Sequence, residues 1–192
     1  IALRVRVDNR TDEPVQGMLL RCQVRIEPAG RRYGADEQER LGDLFGPPER
    51  WSQTVRSLLW TQASVVGSAF THRDTVEIAL PCGFDFNATA AKLFYALDDG
   101  EMPLSLLFSG TVFTKGPGGF AVGQVPWHKE ATYRMPARVW RDVMDLYFPN
   151  SGWIRLRRDT LDALQRYKAE RALPTWEDAL EGLLKQAREA GS

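Results

Sequence analysis

The feature that most constrains the fold is one long predicted hairpin between Met102 and Trp127. Its first strand carries apolar residues on both faces of an extended chain. One face holds Leu104, Leu106, Phe108 and Val112, and the other holds Leu107 and Phe113. Residues 115–119 are rich in Gly and Pro and predict a turn, after which Phe120, Val122 and Gln124 share one face. Apolar residues on both faces predict that the hairpin lies in the middle of a sheet.

Alternating apolar and polar residues predict further strands along the chain, and the clearest alternation runs over residues 18–26. The other predicted strands are residues 2–8, 58–66, 76–80, 90–97 and 130–135. Seven or eight strands at hairpin spacing, without crossover helices between them, predict an antiparallel arrangement. We therefore expect a mainly β fold with C-terminal helices (α+β), in which residues 1–135 form an immunoglobulin-like β-sandwich.

Residues 35–56 interrupt the strand pattern and predict a short helical insertion. Asp36, followed by Glu39, predicts a capped helix start, and Gly46-Pro47-Pro48 predicts its end. Residues 49–55, which include Trp51, predict a further helical turn. Insertions between strands are common sites of function.

The apolar period changes from 2 to 3.6 after Met135, which predicts a C-terminal helical region over residues 136–192. Three helices are expected, separated by breaks after Tyr147 and at Pro174. The last, over 176–189, begins at a Thr175 cap with Asp178 at its third position. We expect its apolar stripe to pack on the sandwich, on other helices or on a partner.

Composition excludes some classes of function. The 192 residues include 25 basic and 25 acidic side chains, so no net positive charge favours nucleic acid or an anionic membrane. No apolar run approaches the roughly 18 residues that span a bilayer, and no signal peptide precedes the first strand. A cytoplasmic location is expected. The chain begins at Ile1 within a strand pattern, so a preceding segment is also expected.

Two cysteines, Cys22 and Cys82, have the sequence separation typical of an immunoglobulin intersheet bridge. The alternative is a pair of buried thiols that behave as small apolar side chains. No Trp lies where an immunoglobulin core would place it after Cys22, and both interpretations stay open.

Residues with catalytic or metal-binding chemistry do not form a recognisable motif. The two histidines, His72 and His128, have no catalytic context, and together with the cysteines they match no zinc spacing. Asp98-Asp99-Gly100 is a common hairpin turn rather than a calcium loop. We predict no catalytic residue, cofactor or metal ion, and we expect that the protein is not an enzyme.

Aromatic residues suggest a protein interface. Trp51 and Phe45 lie in the insertion beside the two prolines, where no core is evident, and exposed aromatics favour protein contacts. The alternative is that these rings only pack the insertion onto the sheet. The predicted partner-binding residues are Phe45, Pro47, Pro48, Trp51, Trp176, Leu180, Leu183 and Leu184.

Several stretches resemble an uncharacterised actinobacterial protein family encoded beside nickel–iron hydrogenase genes. They are LRCQVRIEP (20–28), LGDLFG (41–46), FYALDDGEMPLSLLFSGTVF (94–113), VPWHKEATYRMP (125–136) and WEDAL (176–180). This resemblance implies a hydrogenase accessory, assembly or structural protein that binds hydrogenase subunits, accessory proteins or itself.

Two alternative functions stay open. One is a small-ligand or carbohydrate binding sandwich that stacks ligands on Trp51 or Trp127. The other is an enzyme with a cleft that places a histidine beside a carboxylate.

Overall fold

A computed structural model describes residues 1–81, 88–116, 118–149, 154 and 156–191. Segments with alternating apolar residues form strands, and segments with apolar residues at helical spacing form helices. The strands are β1 (Ala2–Asp8), β2 (Val15–Ile26), β3 (Leu58–Gly67), β4 (Arg73–Ala79), β5 (Glu101–Gly116), β6 (Gly119–Gln124) and β7 (Glu130–Pro136). The α-helices are α1 (Ala35–Phe45), α2 (Trp51–Thr54), α3 (Ala88–Tyr95), α4 (Ala137–Tyr147), α5 (Arg158–Glu170) and α6 (Trp176–Ala190). Antiparallel strands combined with helices confirm an α and β fold, whereas the immunoglobulin-like sandwich stays a prediction. The expected mainly β character is wrong, because helices occupy as much of the chain as strands do and α3 adds a helix that the sequence pattern did not predict.

A five-stranded antiparallel sheet is organised around β2 and β5. β2 pairs with β3 on one side and with most of β5 on the other. The far side of β5 pairs with two strands, with β7 along residues 101–107 and with β6 along residues 111–116. β5 is therefore central, as the long hairpin predicts, but β6 lies at the edge of the sheet.

A glycine permits the close approach of β2 and β5. Gly110 has a φ of 154°, and a Cβ atom there would lie 2.1 Å from the carbonyl oxygen of Leu19. Any larger residue would force the two central strands apart.

The inner face of this sheet is covered by a second sheet and by helices. β1 and β4 form a two-stranded antiparallel sheet, and Val76 of β4 packs in one cluster with Met18 and Leu20 of β2. The larger core cluster joins β-strands to α1, α3 and α4. Its aromatic centre is Trp60, Phe94 and Trp140, with ring centroids 5.1 to 6.1 Å apart.

The strand predicted over residues 90–97 is wrong, because residues 90–95 belong to α3 and residues 96 and 97 follow it. Ala90, Leu93 and Phe94 of the helix are buried at helical spacing, while Tyr95 is exposed; Ala96 and Leu97 after the helix are also buried. Alanines favour a helix here. An eight-residue helix therefore lies between β4 and β5, where the sequence pattern predicted a strand.

The helical insertion is confirmed, but its predicted capping residues are wrong. α1 begins at Ala35 after Gly34, not at Asp36, and the carboxylate that reaches back to the cap is that of Glu37. Glu37 Oε2 accepts a hydrogen bond from the Gly34 backbone N–H at 3.1 Å. Glu39 is exposed.

The chain divides into two compact units, Ile1–Pro149 and Asn150–Ser192. The boundary lies later than Met135, because Ala137 and Trp140 of α4 belong to the core of the first unit. In the second unit, the predicted cap of α6 is confirmed: Thr175 Oγ1 accepts a hydrogen bond from the Asp178 backbone N–H at 3.0 Å.

Cys22 is a buried free thiol on the inner face of β2. This agrees with the second interpretation, in which the cysteines are buried thiols, as far as Cys22 is concerned; Cys82 lies outside the described residues.

Candidate protein-binding surface

Five apolar residues lie together on the outer face of the five-stranded sheet, which is the face opposite the core. Directly paired residues of antiparallel strands point to the same face. Leu19 of β2 pairs with Val66 of β3, and Phe113 of β5 pairs with Val122 of β6. Phe120 extends the group along β6. We call these residues the outer-face patch: Leu19, Val66, Phe113, Phe120 and Val122.

The outer-face patch is exposed to solvent. Val66 and Phe120 are each 77% exposed and Val122 is 64% exposed, while Leu19 and Phe113 are just over one-third exposed. Single exposed apolar residues are common, whereas several of them on one face of a sheet are typical of interaction sites, so this face is the candidate protein-binding surface.

Polar side chains surround this patch. On the rows next to Leu19 and Val66, the outer face carries Arg21 opposite Ser64 and Gln23 opposite Gln62. Lys115 pairs with Phe120 at the other end. An apolar centre with a polar, partly cationic rim is the usual organisation of a protein interface.

The first set of predicted partner-binding residues lies in the insertion. Phe45 is buried in the core, and Trp51 is half-buried between Phe45 and Tyr33, at ring centroid distances of 5.6 and 5.2 Å. Trp51 Nε1 donates a hydrogen bond to the Gly46 carbonyl at 2.8 Å. These rings therefore pack the insertion, and the exposed members of the set are Pro47 and Pro48.

The second set lies on α6. Leu180 and Leu183 are half-buried, whereas Leu184 and Trp176 are exposed. Lys168 of α5 places its Nζ 5.8 Å from the centre of the Trp176 ring. One edge of the predicted stripe thus faces solvent, and the fully buried residue of α6 is Ala179.

A groove of about 570 Å³ with three arginines lies elsewhere in the first unit. Its lining residues are Ala29, Gly30, Arg31, Arg32, Gly100, Glu101 and Arg134. Arg31 is already paired, because its Nη2 donates to both Glu37 carboxylate oxygens at 2.8 and 2.9 Å. Burial raises the pKa of the nearby Tyr33 hydroxyl above its usual range, and this hydroxyl donates to the Pro28 carbonyl. These contacts hold the insertion in place.

In a comparison with known protein families, one family model matches the whole chain, residues 1–192. The chain belongs to DUF6084, a family of unknown function. No curated protein and no solved structure matches it.

In this DUF6084 member, the histidines and tryptophans that the alternative functions would need do not form a common site among the described residues. His72 is exposed, and His128 packs edge-on against Trp127, which is 91% exposed. Neither Trp51 nor Trp127 lines the groove. Among the described residues, no three His, Cys, Asp or Glu side chains are grouped to hold a metal ion. Within the same residues, no helix is both long and apolar enough to cross a membrane.

The outer-face patch was missed at the sequence level, although part of its signal was present. Phe113, and separately Phe120 and Val122, are visible as apolar positions of the long hairpin. That they share one face that is open to solvent follows only from the register of β5 and β6.

Proposed function

We propose that this protein is a non-enzymatic accessory, assembly or structural component of a nickel–iron hydrogenase system and that it acts by binding another protein. The observation that carries this proposal is the exposed outer-face patch. The hydrogenase assignment is supported by the resemblance of several stretches to a family encoded beside hydrogenase genes. We place this binding in the cytoplasm.

The outer-face patch supplies the chemistry of a protein interface. Covering an exposed Phe or Val side chain stabilises a complex by about 1.5–3 kcal/mol before entropic costs are subtracted. Phe113 and Phe120 would act as aromatic anchors, since aromatic residues are enriched at binding hot spots. Arg21 and Lys115 would form a cationic rim that favours acidic side chains on the partner.

The sites predicted from the sequence would have secondary roles. Pro47 and Pro48 in the first unit, and separately Trp176 and Leu184 in the second, have exposed surface that is available for protein contacts. Phe45 has little surface to contribute, since it lies in the core.

We also propose that the two sheets form the layers of a small, immunoglobulin-like sandwich. This is supported by the packing of β4 against β2 through Val76, Met18 and Leu20. A two-stranded second layer leaves the rest of the inner face to α1, α3 and α4.

Affinity purification from the native host tests the proposed function. The wild-type chain, Val66→Asp and Tyr95→Asp should be compared at equal expression. Tyr95 is as exposed as Val66 but lies on α3, away from the outer-face patch and its rim. We expect hydrogenase subunits or accessory proteins with the wild type and with Tyr95→Asp, and at least about a tenfold loss with Val66→Asp, because a charge would be buried at the contact.

Circular dichroism and thermal unfolding should establish that both variants are folded. Retrieval of no hydrogenase-related protein by the wild type would contradict the hydrogenase assignment. Equal retrieval by Val66→Asp would contradict the role of the patch.

A further inference from the structure

We propose that the edge strand β6 pairs with β6 of a second copy of this chain, in an antiparallel manner around a twofold axis. β6 pairs with β5 on one side and lies at the edge of the five-stranded sheet. The strand Gly119–Gln124 contains no charged residue and no proline, which are the devices that normally protect an edge strand from pairing. A second copy of this chain presents the same unprotected edge, so the two β6 strands can pair with each other.

The hydrogen bonds between β5 and β6 show which backbone groups face the free edge. Val125 donates its backbone N–H to the Gly110 carbonyl at 2.9 Å. Gly110 and Val125 are therefore a hydrogen-bonded pair, and they follow directly on the pair Thr111 and Gln124. In antiparallel strands, hydrogen-bonded pairs alternate with pairs that point their N–H and C=O groups away. The odd-numbered residues of β6 therefore bond to β5, and Phe120, Val122 and Gln124 direct their backbone groups to the free edge.

A twofold pairing centred on Ala121 satisfies those groups. Phe120 of one copy then lies opposite Val122 of the other, and the two pairs exchange four backbone hydrogen bonds. Aromatic residues opposite β-branched ones stabilise a sheet. On the inner face, Ala121 meets Ala121, and Gly119 meets Gly123, so that no bulky side chain blocks the approach.

The same axis keeps the outer faces of both copies on one side. The two five-stranded sheets become one continuous sheet, and the two outer-face patches become one surface. Pairing uses the backbone edge of β6, so it does not rest on the proposed function. Because six residues per strand bury a small area, we expect a dimer that dissociates on dilution.

A proline at position 122 tests the pairing directly. Proline is tolerated on an edge strand when its missing N–H would face outward, and the Val122 N–H does so. Val122→Pro therefore leaves the ladder to β5 intact and removes two of the four intersubunit bonds. Val122→Ala is the matched control, because it removes the same side chain and keeps the N–H.

Sedimentation velocity over a wide range of protein concentration gives the readout. We expect the wild type to approach twice the chain mass of 21.7 kDa at high concentration. Val122→Pro should raise the dimer Kd by about a hundredfold, and Val122→Ala by about tenfold or less.

Phe120→Lys provides a second variant in case Val122→Pro does not fold, since it places a lysine of each copy beside the axis and should also abolish the dimer. A wild type that stays monomeric at every concentration would overturn the proposal, as would a dimer that both Val122→Pro and Phe120→Lys leave unchanged. Failure here would not affect the Val66→Asp result, since Val66 lies on a different strand.

Discussion

At the scale of single residues, the buried Glu37 carboxylate joins three segments of the first unit. Its oxygens accept hydrogen bonds from Arg31, from the Gly34 N–H at the start of α1, and from the Asp98 N–H before β5, the last at 3.1 Å. The side chains of Arg31 and Glu37 are only 10% and 6% exposed. A buried, doubly hydrogen-bonded ion pair is costly to break, because either charge alone would stay buried without its partner.

Glu37→Gln should therefore lower the free energy of unfolding by about 3 kcal/mol. Glutamine can still accept hydrogen bonds, but it leaves the Arg31 guanidinium without a counterion. Urea unfolding followed by circular dichroism measures the loss. Glu39→Gln, on the exposed face of the same helix, is the control and should change stability by less than about 0.5 kcal/mol. Equal stabilities for the two variants would show that the ion pair contributes little.

Cys22 predicts a loss of stability at alkaline pH. Burial raises the pKa of its thiol from 9.0 to about 11. The folded state therefore keeps its proton where the unfolded state has lost it, so this contribution is complete below pH 9.0 and is lost as the pH rises toward about 11. Unfolding free energies of the wild type and Cys22→Ala should be measured across this range. The wild-type curve should fall more steeply, and parallel curves would contradict the prediction.

At the scale of elements, α3 shows why the apolar periodicity of residues 90–97 predicted a strand instead of a helix. Leu93 and Leu97 fit both a strand of period 2 and a helix of period 3.6. Phe94 and Tyr95 decide between the two, since the helix buries Phe94 and exposes Tyr95. Which aromatic is buried depends on Trp60 and Trp140, which are distant in sequence, so the local pattern could not distinguish them.

The long hairpin shows a second limit of prediction from sequence, which concerns the burial of an apolar face. Its two strands were predicted correctly and β5 is central, because it has neighbours on both sides. The predicted turn over residues 115–119 is too long, since β5 continues to Gly116 and β6 begins at Gly119. Its second apolar face is exposed, since the β1–β4 sheet and the helices cover the inner face of the sheet. An apolar face reserved for a partner has the same sequence pattern as one covered by the fold.

The α6 cap predicts a stability change confined to that helix. Thr175→Ala removes the side-chain oxygen that accepts the Asp178 N–H, which should destabilise the helix by about 1 kcal/mol. Far-ultraviolet circular dichroism during thermal unfolding should show earlier loss of helical signal. Thr160→Ala, an exposed position within α5, should have no such effect. A variant as stable as the wild type would mean that packing on α5, rather than the cap, fixes the start of α6.

At the scale of the whole molecule, the central claim is that the outer-face patch contacts a partner protein. The predicted sites, in the insertion and on α6, came from local clusters of aromatic and apolar residues. The patch is assembled from β2, β3, β5 and β6, so it exists only once the register of the sheet is known. The sequence therefore favoured a protein interface but could not point to the outer-face patch.

Site-specific photo-crosslinking in the native host tests this claim most directly. A photoreactive phenylalanine analogue should replace Val66, which belongs to the outer-face patch but not to β6. Tyr95 on α3 and Trp176 on α6 are the comparison positions, since both are exposed and off the patch. We expect a crosslink from position 66 to a hydrogenase subunit or accessory protein, and none from position 95. Crosslinks from position 176 with none from position 66 would contradict the account and place the interface on α6.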